Sequence, residues 1–149
     1  MSTAKQIHDL YDQDAFKWYN ENAKLLRERK FELIDIKNLA EEIESMGRGE
    51  RDKLENYLSQ LFLYLLKWKY QVSKRCVSWE ISIKKRRRHA KRQLDENPSL
   101  KLIIAEIVND AYEDSRYDAA QETELPLETF PESQPFTFEE ALQEDWIYL

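Results

Sequence analysis

Only two glycines, Gly47 and Gly49, and one cysteine, Cys76, occur among the 149 residues. Two glycines exclude a glycine-rich phosphate loop and a nucleophile elbow, and they leave too few tight turns for a chain built of strands. One cysteine excludes an internal disulfide. No apolar run is longer than Leu61 to Leu66, far short of the roughly 20 residues that a bilayer-spanning helix needs. The opening stretch MSTAKQIHDLYDQD lacks the apolar core of a signal peptide, so the expectation is a cytoplasmic protein with no membrane association. Histidine is scarce too. The residues three before His8 and His89 are Lys5 and Arg86, so the Glu-x-x-His pairs of a bundle metal site are missing, and neither a metal nor a cofactor is expected. The arginine that helical ribonucleases place ahead of a catalytic histidine, with four to six residues between the two, is also missing, since Lys84, Ile83 and Ser82 stand at those spacings before His89. These absences lean against an enzyme.

What the chain has in quantity is charge and helix-forming residues. With 42% hydrophobic and 35% charged residues it can fill a core and still solvate its helical faces, which points to an all-α fold in one domain over 1–149. Phe16, Tyr19, Ala23 and Leu26 share one stripe of a helix from about Asp14, its N-cap, to Lys30. Asp35 caps a second segment, with Ile34 and Leu39 at the two positions of a hydrophobic staple, and Leu39, Ile43 and Met46 continue that stripe. The two glycines predict a break or bend near residue 48, so residues 35–70 read as a short helix and the next, with one long bent helix as the alternative. From Glu50 to Tyr70 the pattern becomes apolar nearly all round and marks the central helix.

Ser78 offers a cap for a further helix to about Leu94, and Asn97 with Pro98 reads as cap and first turn of the next, to about Glu122. Pro126, Pro131 and Pro135 then impose irregular backbone. Thr137 with Glu140 forms a capping box for a short terminal helix carrying Phe138, Leu142 and Trp146, whose aromatics predict that the tail docks. The expected architecture is a helical bundle of about five helices, residues 1–124, followed by a proline-containing C-terminal arm, 125–149, ending in that short helix.

Charge is strongly segregated. Residues 67–92 hold eleven Lys or Arg and one acid, a net +10, whereas residues 106–149 hold thirteen acids and one base, a net −12. Short-loop connectivity predicts that the basic helix packs beside the acidic one and is partly neutralised by it. A helical wheel places Trp79, Ile83, Ala90 and Leu94 on the buried stripe, with Arg86 and Arg87 at its edges. Lys84, Lys85, Arg88, Lys91 and Arg92 fall on the outer face and form the candidate basic binding face.

Several ordered stretches resemble the bacterial family called domain of unknown function twenty-nine, small helical proteins abundant in cyanobacteria. YDQDAFKWYNENAKLLRERKF is similar to its opening helix, DIKNLAEEIESMGRGER to its most distinctive motif, and LLKWKYQVSKRCVSW to its central helix and following turn; NPSLK, AYEDSR and FPESQPFTFEEAL match in order. The resemblance implies a helical bundle and no reaction. It draws attention to Glu41, Glu42, Glu44, Gly47, Arg48, Trp68, Trp79, Tyr112, Glu113, Asp114 and Arg116.

The sequence therefore predicts a non-enzymatic interaction or regulatory protein with a protein partner. A polar network or pocket of Glu41, Glu44, Arg48, Arg87, Glu113 and Arg116 is its expected centre. The alternative is a nucleic-acid-binding protein that uses the basic face, and homo-oligomerisation is left open.

Overall fold

The computed structural model describes residues 2–145, whose backbone groups into two compact units, Met1–Arg48 and Gly49–Leu149. Among the described residues all regular structure is helical, as the composition demands. No helix there is long and apolar enough to cross a membrane.

In the first unit, α1 (Ala4–Gln13) opens on a capping box: the Thr3 hydroxyl accepts from the Gln6 amide at 3.1 Å, and the Gln6 side chain accepts from the Thr3 amide at 2.8 Å. Asp14 serves two helices. Its N–H donates to Leu10 O and closes α1, while its carboxylate accepts from Lys17 N at 3.1 Å and opens α2 (Ala15–Arg27). Arg29, at φ 59°, turns the chain into the left-handed region, so that Lys30 N reaches back to Leu25 O at 2.9 Å and seals the helix end.

The interior of this unit is partly polar. Ile7, Trp18 and Leu25 are buried together with Asn22, Asp35 and Asn38. The stripes that the spacing picked out lie outward instead: Phe16, Tyr19 and Leu26 on α2, and Ile43 and Met46 further on, are all exposed. Periodicity shows which residues share a face and is silent on which face is covered. Here the indole of Trp18 and the amide of Asn22 have their partners inside, and that decides the orientation.

One helix, α3 (Ile36–Tyr70), runs through 35 residues without the break that the glycines suggested. Neither Gly47 nor Gly49 has a positive φ. A helical glycine costs about 1 kcal/mol relative to alanine, too little to end a helix flanked by Glu, Met and Arg when no residue turns left-handed. Among the described residues five helices run ten residues or more, but α1 is one of them and residues 35–70 supply a single helix rather than two.

The second unit is built on the end of α3, where Leu54, Leu58, Leu61, Phe62, Leu65 and Leu66 are fully buried. That near-complete burial matches its all-round apolar pattern. α4 (Val77–Glu96) starts one residue before Ser78, at an N-cap, Cys76, whose side chain makes no capping bond. Asn97 closes α4, its N–H and its side-chain amide both donating to Gln93 O at 3.0 and 3.1 Å. It is also the N-cap, without a side-chain capping bond, of a 3-10 segment, Pro98–Ile103, which opens on Pro98 as expected and leads into α5 (Ile104–Thr123).

The arm packs by its aromatic side chains. Phe130 and Phe136 are buried, the first edge-on to Tyr70 at 5.4 Å and the second against Phe62 at 5.1 Å. Each contributes roughly 1.5–3 kcal/mol, which offsets the ordering of a backbone interrupted by prolines. Tyr112 OH donates to Pro131 O at 2.6 Å. The expected capping box is present, with Thr137 and Glu140 bonded reciprocally at 3.0 Å, and it opens α6 (Phe138–Leu142). Trp146, assigned above to this helix, lies outside the described residues.

A candidate basic binding groove

α4 divides as its wheel indicates. Ile83, Ala90 and Leu94 are buried, Trp79 is half-buried, and Lys84, Lys85, Arg88, Lys91 and Arg92 are all exposed. Arg87, placed by the wheel at the edge, is 2% exposed. Its Nε donates to Ala141 O at 2.7 Å and its Nη1 to Glu144 O at 2.8 Å, so it fastens the C-terminal arm to α4. Burial pulls its guanidinium below the usual arginine range, and Asp145 and Glu144 oppose that.

Because the arm is held there, α4 and residues 144–145 enclose a groove of about 650 Å³. Lys84, Arg87, Arg88, Lys91 and Arg92 line it together with the acids Asp95, Glu96, Glu144 and Asp145. Among the described residues the only carboxylate within 4.0 Å of the five outer bases is Glu80, 3.8 Å from Lys84 on the same helix. The neutralisation expected from the acidic helix goes elsewhere. Asp110 and Glu106 of α5 take Arg51 of α3, at 2.8 and 3.5 Å, and Arg51 also holds Glu55 at 3.0 Å. Glu122 lies 4.0 Å from Lys67.

His89 senses the resulting field. Burial, then Arg86, Lys85, Arg92 and Arg88, hold its imidazole below the ordinary histidine value. The ring packs on Tyr57 at 5.2 Å and its Nδ1 is buried with no hydrogen-bond partner among the described residues. The aromatics that could have stacked bases are engaged by the protein's own cations or rings. Lys67 lies 4.9 Å over Trp79, Arg75 lies 5.1 Å over Trp68, and Tyr70 meets Phe130.

A second polar constellation lies in the first unit. Asp35 is buried and accepts from Trp18 Nε1 at 2.9 Å, from Asn38 Nδ2 at 2.9 Å and from Asn38 N at 3.4 Å, with His8 Nδ1 at 3.3 Å. Burial pushes its carboxyl up, yet the bonds from Asn38, Trp18 and His8 together bring it below the usual carboxylate range. Beside it, Glu42 accepts from Tyr11 OH at 2.6 Å and Tyr19 OH at 2.9 Å. Those bonds lower Glu42 and push Tyr11 up to about 12. Each carboxylate oxygen here has a donor, so the cluster fastens α1 and α2 to the start of α3. Sequence reasoning found Asp35 as a cap but missed its indole partner, which no spacing signals.

The six residues proposed as a polar network fall as follows. Glu41, Glu44 and Arg48 are exposed in the first unit. In the second, Glu113 is exposed, Arg116 Nε donates to Phe130 O at 3.0 Å, and Arg87 holds the arm as described. Both arginines thus serve the C-terminal arm through backbone carbonyls. Among the described residues no three His, Cys, Asp or Glu side chains converge as a metal centre requires.

The family described as Domain of unknown function DUF29 matches residues 10–147. Comparison with curated proteins and with solved structures gives no match.

Proposed function

We propose that this chain, which belongs to the family described as Domain of unknown function DUF29, is a cytoplasmic, non-enzymatic interaction protein that docks an acidic segment of a protein partner along the outer face of α4. One observation carries this reading. Lys85, Arg88, Lys91 and Arg92 are exposed together beside a groove, and none has a carboxylate within 4.0 Å among the described residues. Like charges at i,i+3 and i,i+4, such as Lys84 with Arg88 and Arg88 with Arg92, each destabilise a helix by about 0.2–0.5 kcal/mol. A bound anionic segment relieves that repulsion and makes charge-assisted bonds to the guanidinium forks.

Nucleic acid is the second reading, favoured by bases spread over about 12 Å of one helix, enough to follow several phosphates. Against it stand the aromatics, which are engaged by the protein's own cations and rings and so are not free to stack on bases. Fluorescence anisotropy separates the two, using a labelled glutamate-rich peptide, a single-stranded RNA and a duplex DNA with wild-type chain and with the Arg88→Glu, Lys91→Glu double variant. Peptide binding that falls at least about tenfold on charge reversal supports the protein partner. Nucleic acids binding more tightly than the peptide, with a steep salt dependence, would replace it with the second reading. Binding of none of the three probes at low salt would remove both.

A further inference from the structure

The first unit exposes an apolar face that its own interior leaves uncovered. α2 runs antiparallel to the start of α3: Leu26 shares one groove with Ile36, Leu39 and Ile43, while towards the other end Tyr19 OH bonds Glu42. On this pair Phe16 is 80% exposed, Ile36 66%, Ile43 61% and Met46 73%, with Tyr19, Leu26 and Phe31 between 44% and 56%. The spacing is that of a helical seam. Residues 16, 19, 23 and 26 on α2, and residues 36, 39, 43 and 46 on α3, follow the three-four-three steps by which helices interlock with other helices.

We infer that this face is a two-fold interface, on which a second copy of the chain docks its own α2 and the start of its α3 to complete a four-helix bundle. Two features select a second copy. Size is the first: at on the order of 200 Å² for a fully exposed side chain of this kind, the seven exposures sum to roughly 850 Å², the share one partner contributes to a standard stable interface. Charge is the second. α2 carries Lys17, Lys24 and Arg27 against Glu21, a net +2, whereas residues 36–46 of α3 carry Glu41, Glu42 and Glu44 against Lys37, a net −2. An isologous arrangement laying each α2 on the partner's α3 satisfies both helices at once, as two-fold symmetry requires.

Sedimentation equilibrium of the full chain, from about 1 to 100 µM, tests this. The expected result is a species of twice the chain mass, converted by Ile43→Glu and independently by Phe16→Lys to a monomer of unchanged helical circular dichroism. A wild-type chain that stays monomeric at about 100 µM overturns the inference. A dimer that survives both substitutions also overturns it. So does a wild-type monomer that Ile43→Glu destabilises, because the face is then covered within one chain.

Discussion

Arg87 Nε donates to the carbonyl oxygen of Ala141 at 2.7 Å, joining the buried edge of α4 to the last helix of the arm. The same guanidinium takes Glu144 O, so one side chain both occupies the interior and shapes the groove margin. Arg87→Ala removes charge-assisted bonds and leaves the buried Ala141 carbonyl without this donor, at a cost of about 2–4 kcal/mol. Urea unfolding measures the loss. Amide exchange should show protection falling first in residues 137–144; a loss spread evenly over the second unit would mean that Arg87 acts only as core volume.

Asp35 and Trp18 make the corresponding pair in the first unit. Asp35→Ala strands the indole N–H and uncaps α3, for an expected loss of about 2–4 kcal/mol. The wild-type carboxyl titrates below its unfolded value. Its stabilisation is therefore complete above about pH 4 and disappears as pH falls through the folded value. Trp18 fluorescence followed through acid unfolding should show this limb in the wild type and lose it in Asp35→Ala, with a Trp18→Phe chain as the control that reports the other three indoles.

Glu42 makes a prediction at the alkaline end. Its bonds hold Tyr11 near 12 and raise Tyr19, so the neutral phenols are favoured and that contribution persists below about pH 10, vanishing once pH passes the folded values. Ultraviolet titration of Glu42→Gln should show two tyrosines ionising earlier than in the wild type. Tyr112, held near 12 by burial, should be unmoved.

Two backbone positions give predictions of opposite logic. Glu124 ends α5 at φ 60°, where a side chain is strained, so Glu124→Gly should stabilise the chain by about 1 kcal/mol. Gly49 sits inside α3 with ordinary helical φ and open space around a would-be Cβ, so Gly49→Ala should also stabilise, by about 0.5–1 kcal/mol. Thermal unfolding compares both with the wild type, and a lowered midpoint for either contradicts the backbone reading.

The helical class, the central helix, the Thr137 capping box and the two faces of α4 were legible because each depends on local pattern. Helical periodicity at Ile83, Ala90 and Leu94 needs no knowledge of the rest of the chain. The outward stripe of Phe16 and Tyr19 was not legible, because orientation was decided by partners for Trp18 and Asn22 that are distant in sequence. The uninterrupted α3 was obscured by two glycines whose cost is real but small. α1 was missed because, of its residues, only Ile7 is buried, leaving almost no apolar signal. In the groove, the wheel identified the five outer bases by position. That α5 spends its acids on Arg51 rather than α4 depends on tertiary packing that charge counting cannot resolve.

The central claim, that the outer face of α4 takes an acidic segment, is tested most directly by His89. Nuclear magnetic resonance should find its imidazole titrating below 6.5, held down by burial and by Arg86, Lys85, Arg92 and Arg88. Saturating glutamate-rich peptide should raise that value, since carboxylates beside those bases cancel the field, and the amide shifts should be confined to residues 84–96 and 144–145. An unchanged His89 titration with peptide bound, or shifts centred on another surface, would contradict the account.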